Sequence, residues 1–453
     1  MFCFADDNLL VCSLDHETKT VPRRIDVPGN PNKLTYSKHI RHLVISYSIT
    51  EPQLESNPLG RVTKSYIEFV DPDSQNPVTR SDRLATSEGL IPWRPSGSSG
   101  EKITCIFDWT AQKNGNEYHL IAIGTSLPIP DDPNDLQGRV LLLQASRDPN
   151  TPEQINCVDK YMQMLDRPVY AMAAYRDSLI VASGKRLFPV AARNSEVKWS
   201  RDITAVLPSP AVAMTVQGNL IYVTTSRSSI LVYEIVKGDI VHVASDAIAR
   251  DGLSHTFING HGEQSDMIFV STRGGAVQVF NDLDANNYKD FPTLTARPSA
   301  DLPVSMLRLV QGSKSPPLLS TTTTLYGFAL NGSVYRMLVL KENERRLLGC
   351  LLKLCLRDRA ICPSLSARKR HIAAAKDFAT TMHIDGNILA RLAERDEQYL
   401  KEMLAQYSVK RAGTPLAALA DEFYEAARGV FGESENHTLA VFNWLRAVLH
   451  IEF

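Results

Sequence analysis

The residues best suited to chemistry in this sequence are few, and they do not converge. His255 and His261 stand close to Asp251 in Asp251-Gly-Leu-Ser-His-Thr-Phe-Ile-Asn-Gly-His261. Imidazoles and a carboxylate are the donors of a metal site or a general-base pair. A spacing of six across a strand and a turn does not bring two imidazoles to one centre, so both read as loop or strand histidines without a ligand role. Asp131-Asp-Pro-Asn-Asp135 has carboxylates at short spacing but lacks the order and closing glutamate of a calcium loop. Cys350, Cys355 and Cys362 cluster, yet their spacing follows helix faces and no Cys-x-x-Cys pair occurs. Arg368, Lys369 and Arg370, with Arg357 and Arg359 nearby, are the natural candidates for phosphate contact, though no interleaved aromatics accompany them to stack bases. Arg227 and Arg273 each follow a second strand, at a channel mouth or on the open surface. With no nucleophile elbow, His-Glu-x-x-His or phosphate loop, the chain reads as a non-enzyme without cofactor or metal.

What must position such residues is therefore the larger question. The chain has 453 residues, enough for a large core, with 43% hydrophobic and 22% charged residues and a formal net charge of −1. No global field draws it to nucleic acid or an anionic membrane, so any such binding is local. Seven scattered cysteines suggest a reducing intracellular compartment, and no apolar run reaches the roughly 18 residues of a membrane span.

The strongest pattern is a repeat. Arg167–Val190 holds three short apolar runs separated by turn residues, which read as three antiparallel strands covered on both faces. The same order recurs in Lys102–Leu143, Ala211–Tyr233, Leu253–Phe280 and Leu302–Leu338. Such units match four-stranded propeller blades, which repeat at about 40–50 residues plus insertions. The N-terminal strands, Asn8–Val11, Thr20–Val27, His42–Tyr47 and Tyr66–Val70, supply a sixth blade, and Asn8–Val11 suggests part of a seventh. The expectation is a mainly β, seven-bladed propeller over residues 1–340, in which the Pro- and Ser-rich residues 71–100 form a mobile insertion anchored by Trp93. A β-sandwich is the rival, but it would rarely repeat three-strand units in this order.

Beyond Lys341 the period changes to that of amphipathic helices. Residues 341–356, 366–380, 388–407, 414 to 429 or 432, and 438–450 read as five helices, the third capped by Asp385 and the fourth opened by Thr414-Pro415. Residues 341–453 thus form a small helical C-terminal domain.

Four stretches then resemble a known family. Val21-Pro-Arg-Arg-Ile25, Leu120-Ile-Ala-Ile-Gly-Thr-Ser126 followed by an acidic loop and Gly138-Arg-Val140, Val169-Tyr-Ala-Met172, and Ile384-Asp-Gly-Asn-Ile-Leu389 occur in the order found in the C-terminal region of the damage-specific DNA-binding protein large subunit. That region is shared with the large cleavage-and-polyadenylation specificity factor subunit and a large splicing-factor propeller subunit. The resemblance implies a third propeller plus helical domain of a three-propeller protein, either as a fragment or as a chain that associates with separate propeller-containing subunits. In the ubiquitin-ligase adaptor branch the second propeller holds the cullin, so cullin docking by that surface is not expected here. In that branch a substrate receptor's helix enters a cleft lined by the beginnings of the third propeller's inner strands. The matching positions are Arg23, Arg24, Tyr170, Ala171, Met214, Leu253, Leu302, Val304 and Met306. Methionines at equivalent strand positions also suit plain core packing. The resemblance implies a nuclear, and also cytoplasmic, interaction scaffold in DNA-repair or chromatin assemblies, without membrane attachment. The alternative is an RNA-processing subunit that contacts RNA through Arg368, Lys369 and Arg370.

Overall fold

The structure is a computed structural model that describes residues 2–5, 8–11, 25–52, 61–81, 92–95, 100–113, 116–129, 132–148, 154–193, 196–199, 204–258, 267–281, 293–312, 324–363, 383–409, 417–433 and 436–449. The chain divides into two compact units. One comprises Asp26–Gln311 and Leu325–Arg336; the other comprises Met1–Ile25, Gly312–Thr324 and Met337–Phe453.

The first unit is a six-bladed propeller arrangement, where the sequence suggested seven. After the N-terminal strands β1 (Phe2–Ala5) and β2 (Asn8–Val11), blade 1 is β3 (Asn30–Ser37), β4 (His42–Pro52) and β5 (Arg61–Val70). Blade 2 is β7 (Lys102–Lys113), β8 (Asn116–Ile129), β9 (Asp132–Arg147) and β10 (Ile155–Leu165), with β6 (Thr79–Ser81) added parallel to β10. Blade 3 is β11 (Val169–Tyr175), β12 (Ser178–Ser183), β13 (Arg186–Arg193) and β14 (Glu196–Trp199), with β15 (Ala205–Val206) also pairing β13. Blade 4 is β16 (Ala211–Gln217), β17 (Leu220–Thr225), β18 (Ile230–Val236) and β19 (Asp239–Ser245), and blade 5 is β20 (Gly252–Ile258), β21 (Met267–Thr272), β22 (Ala276–Asn281) and β23 (Ala296–Asp301). Blade 6 is β24 (Met306–Gly312), β25 (Thr324–Ala329) and β26 (Val334–Leu338). The expected seventh blade is absent among the described residues because Asn8–Val11 pairs with Phe2–Ala5 in an isolated antiparallel hairpin, which satisfies its ladder locally. The described end of the Thr20–Val27 stretch, Ile25–Val27, forms no strand, and the rest of it lies outside the described residues.

Alternation along the second strand of each blade explains the continuous apolar runs, because successive side chains enter different cores. In β8, Ile121 and Ile123 face blade 1 while Ala122 faces blade 3. In β12, Leu179 and Val181 join the core shared with blade 2, and Ile180 and Ala182 the core shared with blade 4. In β17, Ile221 and Val223 pack toward blade 3 and Tyr222 toward blade 5.

The described parts of residues 71–100 are laced into this framework. Trp93 is buried, exchanges backbone hydrogen bonds with Ile67, and donates its indole N–H to Asp159 Oδ1 at 2.8 Å.

The second unit contains five helices among its described residues: α1 (Glu342–Cys355), α2 (Gly386–Ala393), α3 (Glu397–Val409), α4 (Ala417–Phe431) and α5 (His437–Leu449). Leu351, Leu392, Leu400, Phe423 and Leu445 meet in one core. Asp385 caps α2 as expected, accepting from Asn387 N at 2.9 Å. The single helix expected over 388–407 is two, because Asp396 Oδ1 accepts from Tyr399 N at 2.8 Å and starts a new helix there. Gly432, at φ +70°, ends α4 in the left-handed conformation. The expected helix over 366–380 lies outside the described residues.

Candidate functional site at the entrance face of the propeller

In blades 3 to 5 the start of the inner strand lies opposite the end of the second strand: Val169 pairs with Ser183, Ala211 with Thr225 and Gly252 with Thr272. The turn between second and third strands and the connector from the preceding blade therefore share one face of the propeller, called here the entrance face.

On that face the inner strands carry a recurrent irregularity. The register of blades 1 to 5 shifts at Pro31/Lys33, Ile103/Cys105, Val169/Ala171, Ala211/Ala213 and Gly252/Ser254. One extra residue enters each strand at the same place: Asn32, Thr104, Tyr170, Val212 and Leu253. A bulge residue has no partner opposite it, so its side chain is freed from the alternation that fills the cores. Four of the five are half-buried and Asn32 is exposed.

Tyr170 also lines a cleft of about 1010 Å³ between blades 2 and 3. Leu136, Phe188 and Pro210 supply apolar wall, while Asp166, Lys185 and Arg186 supply charge. Arg167 forms an ion pair with Asp135 along one side. The connector is fastened by Ser183 Oγ, which donates to Arg167 O at 2.6 Å, and by Gly184 N, which donates to Pro168 O at 2.8 Å. Gly184 has φ +53°, and a Cβ there would sit 2.8 Å from Arg167 Cβ, so glycine is required for the turn and for this close approach. Burial pushes the Tyr170 phenol pKa up, which keeps it a neutral, amphipathic contact group.

The remaining candidates separate by environment. Ala171 and Met214 are buried in the core between blades 3 and 4, and Met306 is fully buried; these three pack rather than present a surface. Leu253 is a half-buried bulge residue. Leu302 and Val304 are half-buried, but the strand expected from Leu302 begins only at Met306, leaving both on the connector into blade 6. Leu302 N donates to Gly275 O at 3.1 Å, which ties that connector to the blade 5 turn. Arg23, Arg24, Arg368, Lys369, Arg370 and His261 lie outside the described residues.

Val212, Lys185 and Arg186 belong to this face and were not singled out from sequence. Aligning Pro168-Val-Tyr-Ala-Met172 with Pro210-Ala-Val-Ala-Met214 would have placed Val212 beside Tyr170. His255 is buried one residue beyond Ser254, with Nδ1 2.8 Å from Thr224 Oγ1, and burial and then Arg308 depress its pKa to about 4. Among the described residues no group of three His, Cys, Asp or Glu side chains could hold a metal ion, and no helix is long and apolar enough to cross a membrane.

The repeated antiparallel sheets, with the same bulge in five of their inner strands, define a β-propeller. The family described as "CPSF A subunit region" matches residues 98–390, from the start of blade 2 into α2, and the chain belongs to that family. No curated protein matches the chain.

Proposed function

We propose that this protein is a non-enzymatic interaction scaffold whose entrance face binds a helix of a partner protein. The observation that carries this reading is the cleft beside Tyr170, where apolar wall and charged rim meet a bulged inner strand. A cleft of that size accepts the anchoring side chains of a helix, and an aromatic side chain within it is the usual energetic centre of such a contact. By its resemblance the chain corresponds to the third propeller and helical domain of the large damage-specific DNA-binding subunit, serving a nuclear ubiquitin-ligase, DNA-repair or chromatin assembly.

Affinity purification of the full chain with mass spectrometry tests the proposal. A protein partner is expected with the wild type and not with Tyr170→Glu. If Tyr170→Glu and Leu302→Glu both fold and retain every partner, the entrance face is not the docking surface. Recovery of a cullin would favour the adaptor branch; recovery of polyadenylation or splicing factors would assign the scaffold to RNA processing.

A further inference from the structure

The entrance face is chemically uneven around the ring. The bulge residues of blades 1 and 2 are polar, Asn32 and Thr104, and the Thr104 hydroxyl is engaged by Gly124 O at 2.9 Å and by Val169 O. Those of blades 3, 4 and 5 are Tyr170, Val212 and Leu253, an unbroken apolar arc. The same three blades carry exposed basic residues at the turn between second and third strands: Lys185 and Arg186 in blade 3, Arg227 in blade 4 and Arg273 in blade 5. None of these four side chains has an ion-pair partner among the described residues, in contrast to Arg167 with Asp135 and Arg250 with Asp246. The turns lie outside the inner strands in each blade, so the apolar arc is bordered on its outer side by a basic one.

We infer that blades 3 to 5 select an amphipathic helix whose apolar stripe is edged by acidic residues. This deepens the docking proposal above and rests on it. The arc crosses strand beginnings and turns, and so offers side chains rather than a free strand edge. A segment lying across it must satisfy its own backbone hydrogen bonds, as a helix does and an added strand does not. The apolar inner arc gives the stripe its anchors, and the basic outer arc decides which edge chemistry is accepted. A nucleic-acid backbone fits less well. Asp166 and Asp251 on connectors of the same face, with Asp301 at the end of β23, divide the basic arc into separate patches, which match carboxylates spaced along a helix edge but not a continuous row of phosphates.

The test is fluorescence anisotropy with the full chain and three labelled probes. These are a designed helical peptide with a leucine stripe and glutamate edge, the same peptide with a lysine edge, and a single-stranded RNA oligonucleotide. The glutamate-edged peptide is expected to bind, to weaken about tenfold in Arg186→Glu/Arg227→Glu/Arg273→Glu, and to weaken as salt rises from about 50 to about 300 mM. Arg41→Glu/Lys237→Glu, on turns of the opposite face, should change nothing. Equal binding of both peptides, no effect of the triple reversal, no binding of the glutamate-edged peptide, or tighter binding of RNA would each overturn the inference. If both peptides bind equally and Tyr170→Glu abolishes both, the docking face survives and the charge selection falls. If Tyr170→Glu and Leu302→Glu also leave co-purifying partners unchanged, the docking face itself falls.

Discussion

His255 gives the sharpest quantitative test of the propeller's packing. Its ring is buried between blades 4 and 5, edge-on to Phe257 with centroids 5.6 Å apart, and Nε2 has no hydrogen-bond partner among the described residues. Burial is the main cause of its pKa of about 4, and the Arg308 guanidinium adds to it, against an ordinary value of 6.5. The unfolded chain therefore takes up a proton at a pH where the folded one refuses it. Stability is complete above pH 6.5 and drains away as pH falls toward 4. At about 1.4 kcal/mol per pH unit, the total loss is about 3 kcal/mol, of which about 2 is gone by pH 5. Carboxylates titrate in the same window, so the readout must be a difference. Urea unfolding of the wild type and of His255→Asn, which keeps a polar atom near Thr224 Oγ1 but cannot titrate, should diverge in slope below pH 6.5. Wild-type stability should fall by about 2 kcal/mol more than the variant's between pH 7 and pH 5. A difference curve flat over that range would show that His255 is not held neutral by burial, and the tight blade 4–5 junction would be refuted with it.

Three further outcomes follow from the same structure. Burial pushes the thiols of Cys105, Cys350 and Cys355 up to about 12, so these three should resist an aromatic disulfide reagent at pH 8 in the native protein and react once it is unfolded, as mass mapping of labelled peptides would show. Trp93→Ala should cost about 3–5 kcal/mol in chemical denaturation, and Trp93→Phe distinctly less, because phenylalanine loses chiefly the hydrogen bond to Asp159. Gly124→Ala would put a Cβ 2.4 Å from Cys105 Sγ and 2.7 Å from Val169 Cγ1; it should destabilise by about 1–3 kcal/mol, with part of the loss recovered by adding Cys105→Ala.

The blades were legible because their second strands are apolar on both faces, as in Leu179-Ile-Val-Ala182, and turn residues bound them on either side. Helix ends were legible where a cap declares itself, as Asp385 does. The break at Asp396 was not, since the apolar stripe of Ile388 to Leu404 continues past it and only the cap divides the helix. The blade count was overestimated because a four-residue strand says nothing about its partner, and Asn8–Val11 pairs with its own neighbour. Of the residues suggested by resemblance, Tyr170 and Leu253 lie half-buried at bulges, while Met306 and Met214 are buried in the core. Side-chain type does not distinguish a methionine that faces a channel from one that fills a blade junction; register does.

Register also explains why a fold made of repeated core strands leaves room for recognition at their beginnings. With a period of two, an unbroken strand commits each side chain to one neighbouring blade or the other, and a change there is felt in the packing. A bulge adds one residue that opposes no partner, at the second or third position of the inner strand, while its successors return to register. Asn32, Thr104, Tyr170, Val212 and Leu253 can therefore differ widely in size and polarity, while the residue just before three of them, Val169, Ala211 or Gly252, remains apolar and fully packed or lacks a side chain altogether. Recognition at this face can change one blade at a time without repacking the propeller. Val212→Asp should accordingly leave the unfolding midpoint close to that of the wild type while abolishing capture of the glutamate-edged peptide. A collapse of stability in that variant would mean that the bulge side chain belongs to the core after all.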